Sequence, residues 1–307
     1  MKDNKNPLIS VIMNCFNGQN YLSEAIESVI SQSYSNWEII FWDNRSTDLS
    51  AQIALSYDDP RIKYMLSPEH TTLHEARNRA LKVASGEYLA FLDVDDYWFP
   101  EKLELQLSLF NKENVGIVYS NYYIKDEVRG AQRLAIKYAL PQGDVLDHLL
   151  KRHIAGLLTL IIRKSAILPF NEPFDSSYRI MGDYDLLVTL AKTWKFACID
   201  RPMAVYRVHQ KNESGPQNNH VLISEWEYFA AKHSVDPVIS SNVNFCWVNI
   251  RICYTKAMDA LRSGQKKIAV ENYFKMDWSI LKIKLLIFLL IPRQTILFLD
   301  KKTHHQV

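Results

Sequence analysis

The sequence predicts an α/β protein with a mainly parallel central sheet, followed by a C-terminal helical region. Three observations lead to this prediction. Short apolar runs alternate with segments of helical periodicity across residues 7–110, the pattern of strand–helix units in a parallel sheet. Polar residues follow the carboxyl ends of several of these strands. From Ser224 onward, apolar and aromatic residues recur in a helical pattern.

The predicted elements follow in order along the chain. The predicted strands cover residues 8–13, 37–42, 61–66, 87–92 and 115–120. The predicted helices cover residues 20–33, 47–56, 72–84 and 100–110. Residues 121–215 mix short strands and helices with polar loops. Ligands of such sheets bind beyond the carboxyl ends of the strands, which is where Asn14, Asp43 and Asp93 fall.

The composition indicates a folded protein and disfavours several classes. The 307 residues are 48% hydrophobic and 23% charged, which is typical of globular domains rather than of disordered chains. With 36 Lys and Arg against 34 Asp and Glu, the chain has no nucleic-acid footprint. The polar N-terminus carries no secretory signal, and the four cysteines form no C-x-x-C pair. We therefore expect a cytoplasmic main body with free thiols and no nucleic-acid partner.

The residues after the fourth strand are the most informative of the chain. Asp93, Asp95 and Asp96 place three carboxylates within four positions at the end of an apolar strand. Such like charges repel one another unless a cation lies among them. Mg²⁺ and Mn²⁺ take oxygen ligands and often share them with substrate phosphates. The alternative is a solvated turn in which Asp96 caps the helix near Pro100.

Four segments together point to a known family. They are Ser10 to Gly18, Phe41 to Asp48, the carboxylate cluster with residues 76–81 and 85–88 before it, and Met181 to Leu187. In this order and spacing they resemble the family 2 glycosyltransferases, inverting enzymes of the GT-A fold that use sugar nucleotides. The resemblance covers about residues 7–215. No G-x-G-x-x-G follows the first strand, which disfavours a dinucleotide-binding Rossmann fold.

The resemblance implies a domain organisation and a metal site. A GT-A catalytic domain would cover residues 1–215, with a nucleotide-binding half (7–110) and an acceptor half (111–215), and a helical region would cover 216–307. Asp95, with Asp96 next, would bind a divalent cation, Mn²⁺ or Mg²⁺, that stabilises charge on the departing diphosphate. In the segment Tyr206 to Ser214, His209 matches a family position that can also bind the metal, and an imidazole ligand favours manganese.

The resemblance also implies residues that bind the nucleotide sugar: Asn14, Phe16, Asn17, Asp43, Asn44, Arg77, Asn78, Asp93 and Val94. The second segment would hold the base. Many relatives have two Asp there, whereas this chain has Asp43 followed by Asn44, and an amide oxygen can accept the N3–H of uracil or thymine. A UDP- or dTDP-sugar is therefore favoured.

Arg77 and Asn78 lie on the predicted third helix, which the family places beside the nucleotide. Arg77 would lie near the diphosphate, and Asn78 would orient the base or the Asp93 loop, while Asp93 would meet the ribose hydroxyls or a metal-bound water. For Asp43, the alternative is a turn built together with Ser46. For Arg77, the alternative is an ordinary exposed helix face.

An inverting transfer needs a general base on the face opposite the leaving group. By resemblance Asp183 is this base, with Asp185 as the alternative, and we expect Asp185 to cap the helix that follows. Besides Asn44, two further positions depart from the family's pattern. Gly182 stands where many members have Glu, and His74 stands where relatives often have a small residue.

The C-terminal segment 280–299 is apolar and basic. Its unbroken apolar run, Leu285 to Ile291, is far shorter than the roughly 20 residues that span a bilayer. Five cationic residues flank it: Lys282, Lys284, Arg293, Lys301 and Lys302. This pattern favours binding to a membrane surface, so we expect a peripheral enzyme on the inner face of the cytoplasmic membrane. The alternatives are packing on the domain or a homodimer contact.

The expected function is metal-dependent transfer of a sugar from a nucleoside-diphosphate sugar to a hydroxyl of a glycan or lipid-linked glycan. A non-catalytic GT-A protein that binds nucleotide or glycan is one alternative, and the presence of both carboxylate sites disfavours it. A sugar nucleotidyltransferase is the other alternative. It is disfavoured because residues 14–20 do not form a glycine-rich, basic loop after the first strand.

Overall fold

A computed structural model describes residues 6–111, 114–209, 212 and 218–297. The chain divides into two compact units. The first contains the described residues up to 146 together with 154–209, and the second contains 147–153 together with the described residues after 209. The segment from 213 to 217, in which the predicted domain boundary falls, lies outside the described residues, as does the tail from 298 on.

The first unit is built on a nine-stranded sheet. Its strands are β1 (Ile9–Cys15), β2 (Trp37–Asp43), β3 (Ile62–Leu66), β4 (Tyr88–Phe91), β5 (Tyr97–Trp98), β6 (Val115–Asp126), β7 (Ala131–Leu134), β8 (Ile161–Arg163) and β9 (Lys195–Val208). They are arranged in the order β3-β2-β1-β4-β8-β6-β9-β5, with β7 paired to β6. The sheet is mixed: β1 pairs in parallel with β2 and β4, whereas β8 is antiparallel to β4 and β6.

Helices connect these strands. Those of the first unit are α1 (Leu22–Ile30), α2 (Ser50–Leu55), α3 (Leu73–Val83), α4 (Lys102–Leu107), α6 (Lys164–Ile167) and α7 (Gly182–Leu190), whereas α5 (Leu146–Lys151) belongs, apart from Leu146, to the second unit. Every residue of β1, β2 and β4 is buried, as expected for central strands covered on both faces. The apolar runs therefore form strands because both of their faces meet the core.

The predicted strands and helices up to residue 110 are found, and their ends differ from the predicted ones by at most three residues. The fourth helix, predicted as one helix over 100–110, is divided: α4 ends at Leu107, and a 3₁₀ helix covers Ser108–Asn111. Thr72 caps α3 because its hydroxyl accepts a hydrogen bond from the Glu75 amide at 3.3 Å.

The acceptor half differs more from its prediction. The strand predicted over 115–120 continues to Asp126, and the 14-residue β9, not predicted as one strand, runs parallel to it. Three register shifts interrupt this pairing, and polar residues lie along both strands. These features hide the apolar alternation from which a strand is recognised in sequence.

The second unit is helical, as predicted for the C-terminal region. Its helices after residue 209 are α8 (Asn219–Ser234), α9 (Pro237–Ser240), α10 (Cys246–Arg262), α11 (Lys266–Lys275) and α12 (Ile280–Leu290). Buried residues of α10, including Cys253 and Ala257, pack with Ala269 of α11 and Leu285 of α12. Within the described ranges, no helix is both long and apolar enough to cross a bilayer.

Candidate active site

The carboxyl ends of β1, β2 and β4 lie side by side and carry three of the predicted segments. The loop after β1 is tied to the loop after β2, since the Asn17 side-chain oxygen accepts a hydrogen bond from the Thr47 amide at 2.8 Å. The same loop packs on the carboxylate segment at Gly18, where an added Cβ would lie 2.5 Å from Val94 Cγ2. Asn14, near the end of β1, is buried, and its amide nitrogen has no hydrogen-bond partner among the described residues.

Asp95 and His209 meet at this edge of the sheet. His209 follows β9 directly, and its Nε2 lies 2.9 Å from Asp95 Oδ2. Both side chains are partly exposed, at 20% for His209 and 28% for Asp95. The His209 ring also stacks on Tyr21, with centroids 5.5 Å apart. An oxygen donor and a nitrogen donor thus converge at a point open to solvent.

Asp96, next to Asp95 in the chain, is buried. It is 1% exposed, and its Oδ1 accepts a hydrogen bond from the backbone amide of Arg207 at 2.8 Å. Burial, and then the charges of Asp95 and Asp93, raise the pKa of the Asp96 carboxyl well above its ordinary value. The structure therefore places Asp96 as a buried link between the carboxylate segment and β9, whereas Asp95 and His209 are partly exposed.

Arg207 makes several contacts beside the carboxylate segment, although it was not among the binding residues predicted from the sequence. Its buried guanidinium lies 2.5 Å from Glu24 and 3.0 Å from Glu127. It also lies between the rings of Tyr21 and Tyr97, at 4.6 and 4.8 Å from their centroids. The Y-R-x-H pattern is the sequence signal that could have identified Arg207. Its two carboxylate partners are too distant in sequence to be recognised.

Arg77 and Asn78, neighbours on α3, contact different parts of the first unit. Arg77 forms an ion pair with Asp93 at 2.8 Å and is nearly buried. Asn78 donates a hydrogen bond to the Phe174 carbonyl at 2.6 Å and accepts one from the Phe174 amide at 3.0 Å. Helix α3 therefore joins the Asp93 loop to the segment that leads into α7.

The second predicted segment uses its polar atoms within the fold. Asp43 is 1% exposed, and it accepts hydrogen bonds from the Ser46 amide and the Tyr64 hydroxyl, each at 2.7 Å. Asn44 donates to the Thr71 carbonyl at 2.8 Å and accepts from the Thr71 amide at 3.1 Å. The turn that was the alternative for Asp43 and Ser46 is thus present. Asn44 holds the loop between β3 and α3.

That loop carries His70, which the sequence did not single out. The His70 ring lies 4.3 Å from the exposed Phe16 ring, and its Nδ1 is 2.9 Å from the Asn44 carbonyl oxygen. Because a carbonyl only accepts, Nδ1 carries a proton, and in the neutral form of the ring Nε2 is then an acceptor. A cleft of about 530 Å³ is lined by Glu69, His70, Thr71, Thr72 and Glu75. An exposed aromatic ring and an acceptor nitrogen therefore lie beside an open cleft.

Asp183 and Asp185 both lie in the first turn of α7. The helix begins at Gly182 with Met181 as its N-cap, so the cap expected from Asp185 was wrong: that residue is inside the helix. Asp185 is 3% exposed and accepts a hydrogen bond from the Tyr178 hydroxyl at 3.2 Å. Asp183 is only partly buried. Burial raises the pKa of Tyr122 to about 12; the charge of Arg133 opposes this rise, and the charges of Asp183 and Asp96 add to it.

The donor set at Asp95 fits a shared cation. Among the residues that the structure describes, no three or more His, Cys, Asp and Glu side chains are grouped to hold a metal. Asp95 and His209 supply two donors within 2.9 Å of each other. Mg²⁺ and Mn²⁺ commonly use one or two protein carboxylates and complete their coordination with substrate phosphates and water. The pair is therefore compatible with a cation that arrives with the nucleotide.

Comparisons with known proteins agree with the geometry. The chain is 37% identical over 193 residues to the UDP-Glc:alpha-D-GlcNAc-diphosphoundecaprenol beta-1,3-glucosyltransferase WfgD of Escherichia coli, an alignment that covers 63% of this chain and 73% of the relative. S. aureus TarS in complex with UDP-GlcNAc has a similar fold, with a TM-score of 0.59 at 16% identity, covering 86% of this chain and 89% of that one.

The mannosyltransferase PcManGT of Pyrobaculum calidifontis, solved with GDP-Man and Mn²⁺, has a similar fold with a TM-score of 0.63 at 15% identity. That match covers 94% of this chain and 83% of the other. These likenesses confirm the predicted GT-A fold. The family model described as Glycosyl transferase family 2 matches residues 10–177, more than half of the chain. The chain therefore belongs to glycosyl transferase family 2 and is a glycosyltransferase.

Proposed function

We propose that this glycosyltransferase moves a sugar, with inversion, from a UDP-sugar to a hydroxyl of a lipid-linked glycan. One observation carries the proposal: the Asp95–His209 pair lies at the sheet edge beside the Arg77–Asp93 ion pair, and the partly exposed Asp183 begins α7 in the same unit. The E. coli relative is named for a UDP-glucose donor and a diphosphoundecaprenol-linked acceptor, which supports the choice of both substrates.

In this proposal Asp95 and His209 would hold a divalent cation when the nucleotide sugar binds, and the Pyrobaculum structure with GDP-Man and Mn²⁺ supports such a cation for this fold. When bound, the cation supplies charge stabilisation to the departing diphosphate. Arg77 holds Asp93 in place beside this site. Asp96 acts as a positioning residue, because its carboxylate is already bound to the Arg207 amide.

We assign the general base to Asp183. Its carboxylate takes the proton of the acceptor hydroxyl while the acceptor oxygen bonds to the anomeric carbon, and the bond from that carbon to the diphosphate breaks. The nucleoside diphosphate leaves with the electron pair of that bond. Asp185 is the poorer choice because it is buried and bonded to Tyr178.

For the nucleobase of the donor, Phe16 supplies an exposed ring for stacking, and His70 Nε2 supplies a hydrogen-bond acceptor. An acceptor suits the N3–H of uracil or thymine. The other predicted nucleotide-binding residues would support the site chiefly through the contacts described above; they are Asn14, Asn17, Asp43, Asn44, Asn78 and Val94. The E. coli relative, which is named for a UDP-glucose donor, supports uracil over thymine.

The proposal is tested with purified enzyme, UDP-glucose or UDP-GlcNAc, Mn²⁺ and a GlcNAc-diphosphate-lipid acceptor. We expect acceptor-dependent release of UDP rather than pyrophosphate, which separates transfer from nucleotidyl transfer. Asp183→Asn should lower kcat roughly 10²- to 10⁴-fold with unchanged donor KM. Asp185→Asn is the matched control. It should lower the melting temperature but change kcat far less than Asp183→Asn does. Wild-type turnover by Asp183→Asn would remove the assignment of the base.

The cation has a test that does not depend on turnover. Calorimetry should detect UDP binding that strengthens with Mn²⁺, and Asp95→Asn should abolish this Mn²⁺ effect. Asp58→Asn, on an exposed loop, should leave it intact. If Asp95→Asn kept the full Mn²⁺ effect, the metal site would have to lie elsewhere.

We also propose that α12 rests on the membrane that holds the acceptor. Ile283, Leu286, Ile287 and Leu290 recur at helical spacing and are 43–77% exposed, while Leu285 and Leu289 are buried on the other side. Trp278 and Phe274, at 79% and 75%, are also exposed just before this helix. Residues 266–297 contain six Lys and Arg against two acidic residues, which suits an anionic lipid surface.

A further inference from the structure

His74 lies in the interior of the first unit, where it makes no ordinary polar contacts. It is 1% exposed, and neither ring nitrogen has a hydrogen-bond partner among the described residues. Its ring is parallel to that of Phe174, with centroids 5.8 Å apart and an angle of 5° between the planes. Burial, and then the charge of Arg77, lower the pKa of His74 to about 3, so the ring is neutral at physiological pH.

The His74 ring lies directly against the backbone at Gly182. A Cβ added there would be 2.5 Å from Nε2, 2.6 Å from Cε1 and 2.7 Å from Cδ2 of the ring. No side chain fits at this position while the ring is present, because such separations are far inside van der Waals contact. Two of the departures from the family's pattern, His74 and Gly182, therefore occupy one space, with the larger side chain on α3 and the smaller residue on α7.

The contact lies one residue from the proposed base. Gly182 is the first residue of α7, and Asp183 follows it in the same turn. The rest of α3 is held firmly, through Arg77 to Asp93 and through Asn78 to both backbone groups of Phe174. The ring of His74 is thus a fixed surface against which the start of α7 rests.

We propose that His74 is a positioning residue for Asp183: its ring, seated on the bare backbone of Gly182, sets where the first turn of α7 begins. This inference rests on the proposed assignment of Asp183 as the base. The role is one of packing alone, because the ring nitrogens have no partner among the described residues and the ring is neutral at working pH. It predicts that the two positions tolerate change only together.

The test is a double-mutant cycle of Gly182→Ala, His74→Ala and the combination of both. Gly182→Ala should lower kcat at least tenfold, leave the donor KM within twofold, and lower the melting temperature. Alanine is a better helix former than glycine, so without the ring the same change should raise stability. In the His74→Ala background, adding Gly182→Ala should therefore raise the melting temperature and recover part of the lost kcat.

A control separates positioning from loss of stability. Leu81→Ala removes a buried side chain further along α3 and should lower the melting temperature without changing kcat of the folded enzyme. Provided that the wild-type enzyme transfers sugar, two results would overturn the inference. One is additive effects of the two substitutions in the cycle, and the other is a Gly182→Ala enzyme with wild-type kcat and stability. Absence of transfer by the wild-type enzyme would instead count against the proposed function.

Discussion

Arg207 is the residue on which the geometry of the carboxylate segment depends most. Its side chain joins Glu24 on α1 to Glu127 after β6, and its backbone amide holds Asp96. A buried cation with two carboxylate partners costs free energy to desolvate, but the loss of one partner is costlier still. The network therefore holds one arrangement of the loop that carries Asp95.

The first prediction concerns this network. Arg207→Met should lower the free energy of unfolding by about 2 kcal/mol, because the charge-assisted contacts of the buried guanidinium with Glu24 and Glu127 are lost, while Glu127 keeps its ion pair with Lys125. Urea unfolding measures this loss. Arg201→Met is the matched control, since Arg201 pairs with Glu101 at 2.6 Å on the exposed surface. Its cost should stay below about 1 kcal/mol. Equal losses for the two variants would contradict the importance of the buried network.

His74 leads to a prediction on pH. Its folded pKa of about 3 is below the ordinary value of 6.5, so the unfolded chain takes up a proton first as the pH falls. The unfolding free energy that depends on a neutral His74 is therefore fully present above pH 6.5 and is lost as the pH falls from 6.5 to 3. Arg77 adds to the lowering of the pKa, and Asp175 and Asp185 oppose it.

Between pH 7.5 and pH 5, this group should remove about 2 kcal/mol of unfolding free energy. Urea unfolding of wild type and His74→Ala at both pH values measures the effect, because the other groups cancel in the difference between the proteins. The variant should lose less stability than wild type on acidification. Parallel pH profiles would show that folding does not lower the pKa of His74.

At the scale of elements, α3 connects the parts of the site. Arg77 of this helix forms an ion pair with Asp93, and Asn78 hydrogen-bonds to the backbone of Phe174. The ring of His74 packs against Gly182 at the start of α7. The helix is amphipathic, with Ala76 and Ala80 in the core. Small residues there let the helix lie close to the sheet, and the longer polar side chains extend to both sides.

Asn78→Ala should therefore destabilise the protein more than its size suggests. The change leaves the Phe174 amide and carbonyl buried without these partners, which costs about 2 kcal/mol or more. Arg79→Ala, one residue later, removes only exposed pairs with Glu69 and Glu75 and should cost less than about 1 kcal/mol. Thermal and urea unfolding compare the two. A loss no larger for Asn78→Ala would mean that the Phe174 segment relaxes.

At the scale of the molecule, the described chain combines a unit that carries the candidate site with a helical unit that exposes an apolar face. The core of the second unit uses one side of α12, through Leu285 and Leu289. The other side is apolar as well, so the helix is hydrophobic nearly all round. A helix of this kind requires a second apolar or interfacial environment.

The membrane proposal makes a prediction at this scale. Vesicles containing phosphatidylglycerol should bind the protein, and Ile287→Asp with Leu290→Asp should weaken binding at least tenfold. Val235→Asp, at an 84% exposed apolar position in the same unit, is the matched control and should have no effect. Flotation of wild type and variants gives the comparison. If the pair of substitutions instead abolished a homodimer detected by sedimentation and left flotation unchanged, a second copy would be the occupant.

The sequence by itself determined the alternating half of the fold and the family. Strands β1 to β4 were predictable because their apolar runs are continuous and bounded by polar turns, a local signal. The segments around Asn14, Asp43 and Asp93 were predictable as neighbours because parallel strands bring their carboxyl ends to one edge. The family followed from the order of four short motifs.

The tertiary structure alone decided what each polar side chain contacts. Asp96 meets an amide 111 residues away and Asn78 a backbone group 96 residues away. Asn44 holds a loop, and His74 fills the space above Gly182. Local periodicity records which face of an element is buried, but not which distant element covers it. Side chains that look equivalent in sequence, such as Asp95 and Asp96, are therefore separated only when long-range packing buries one of them.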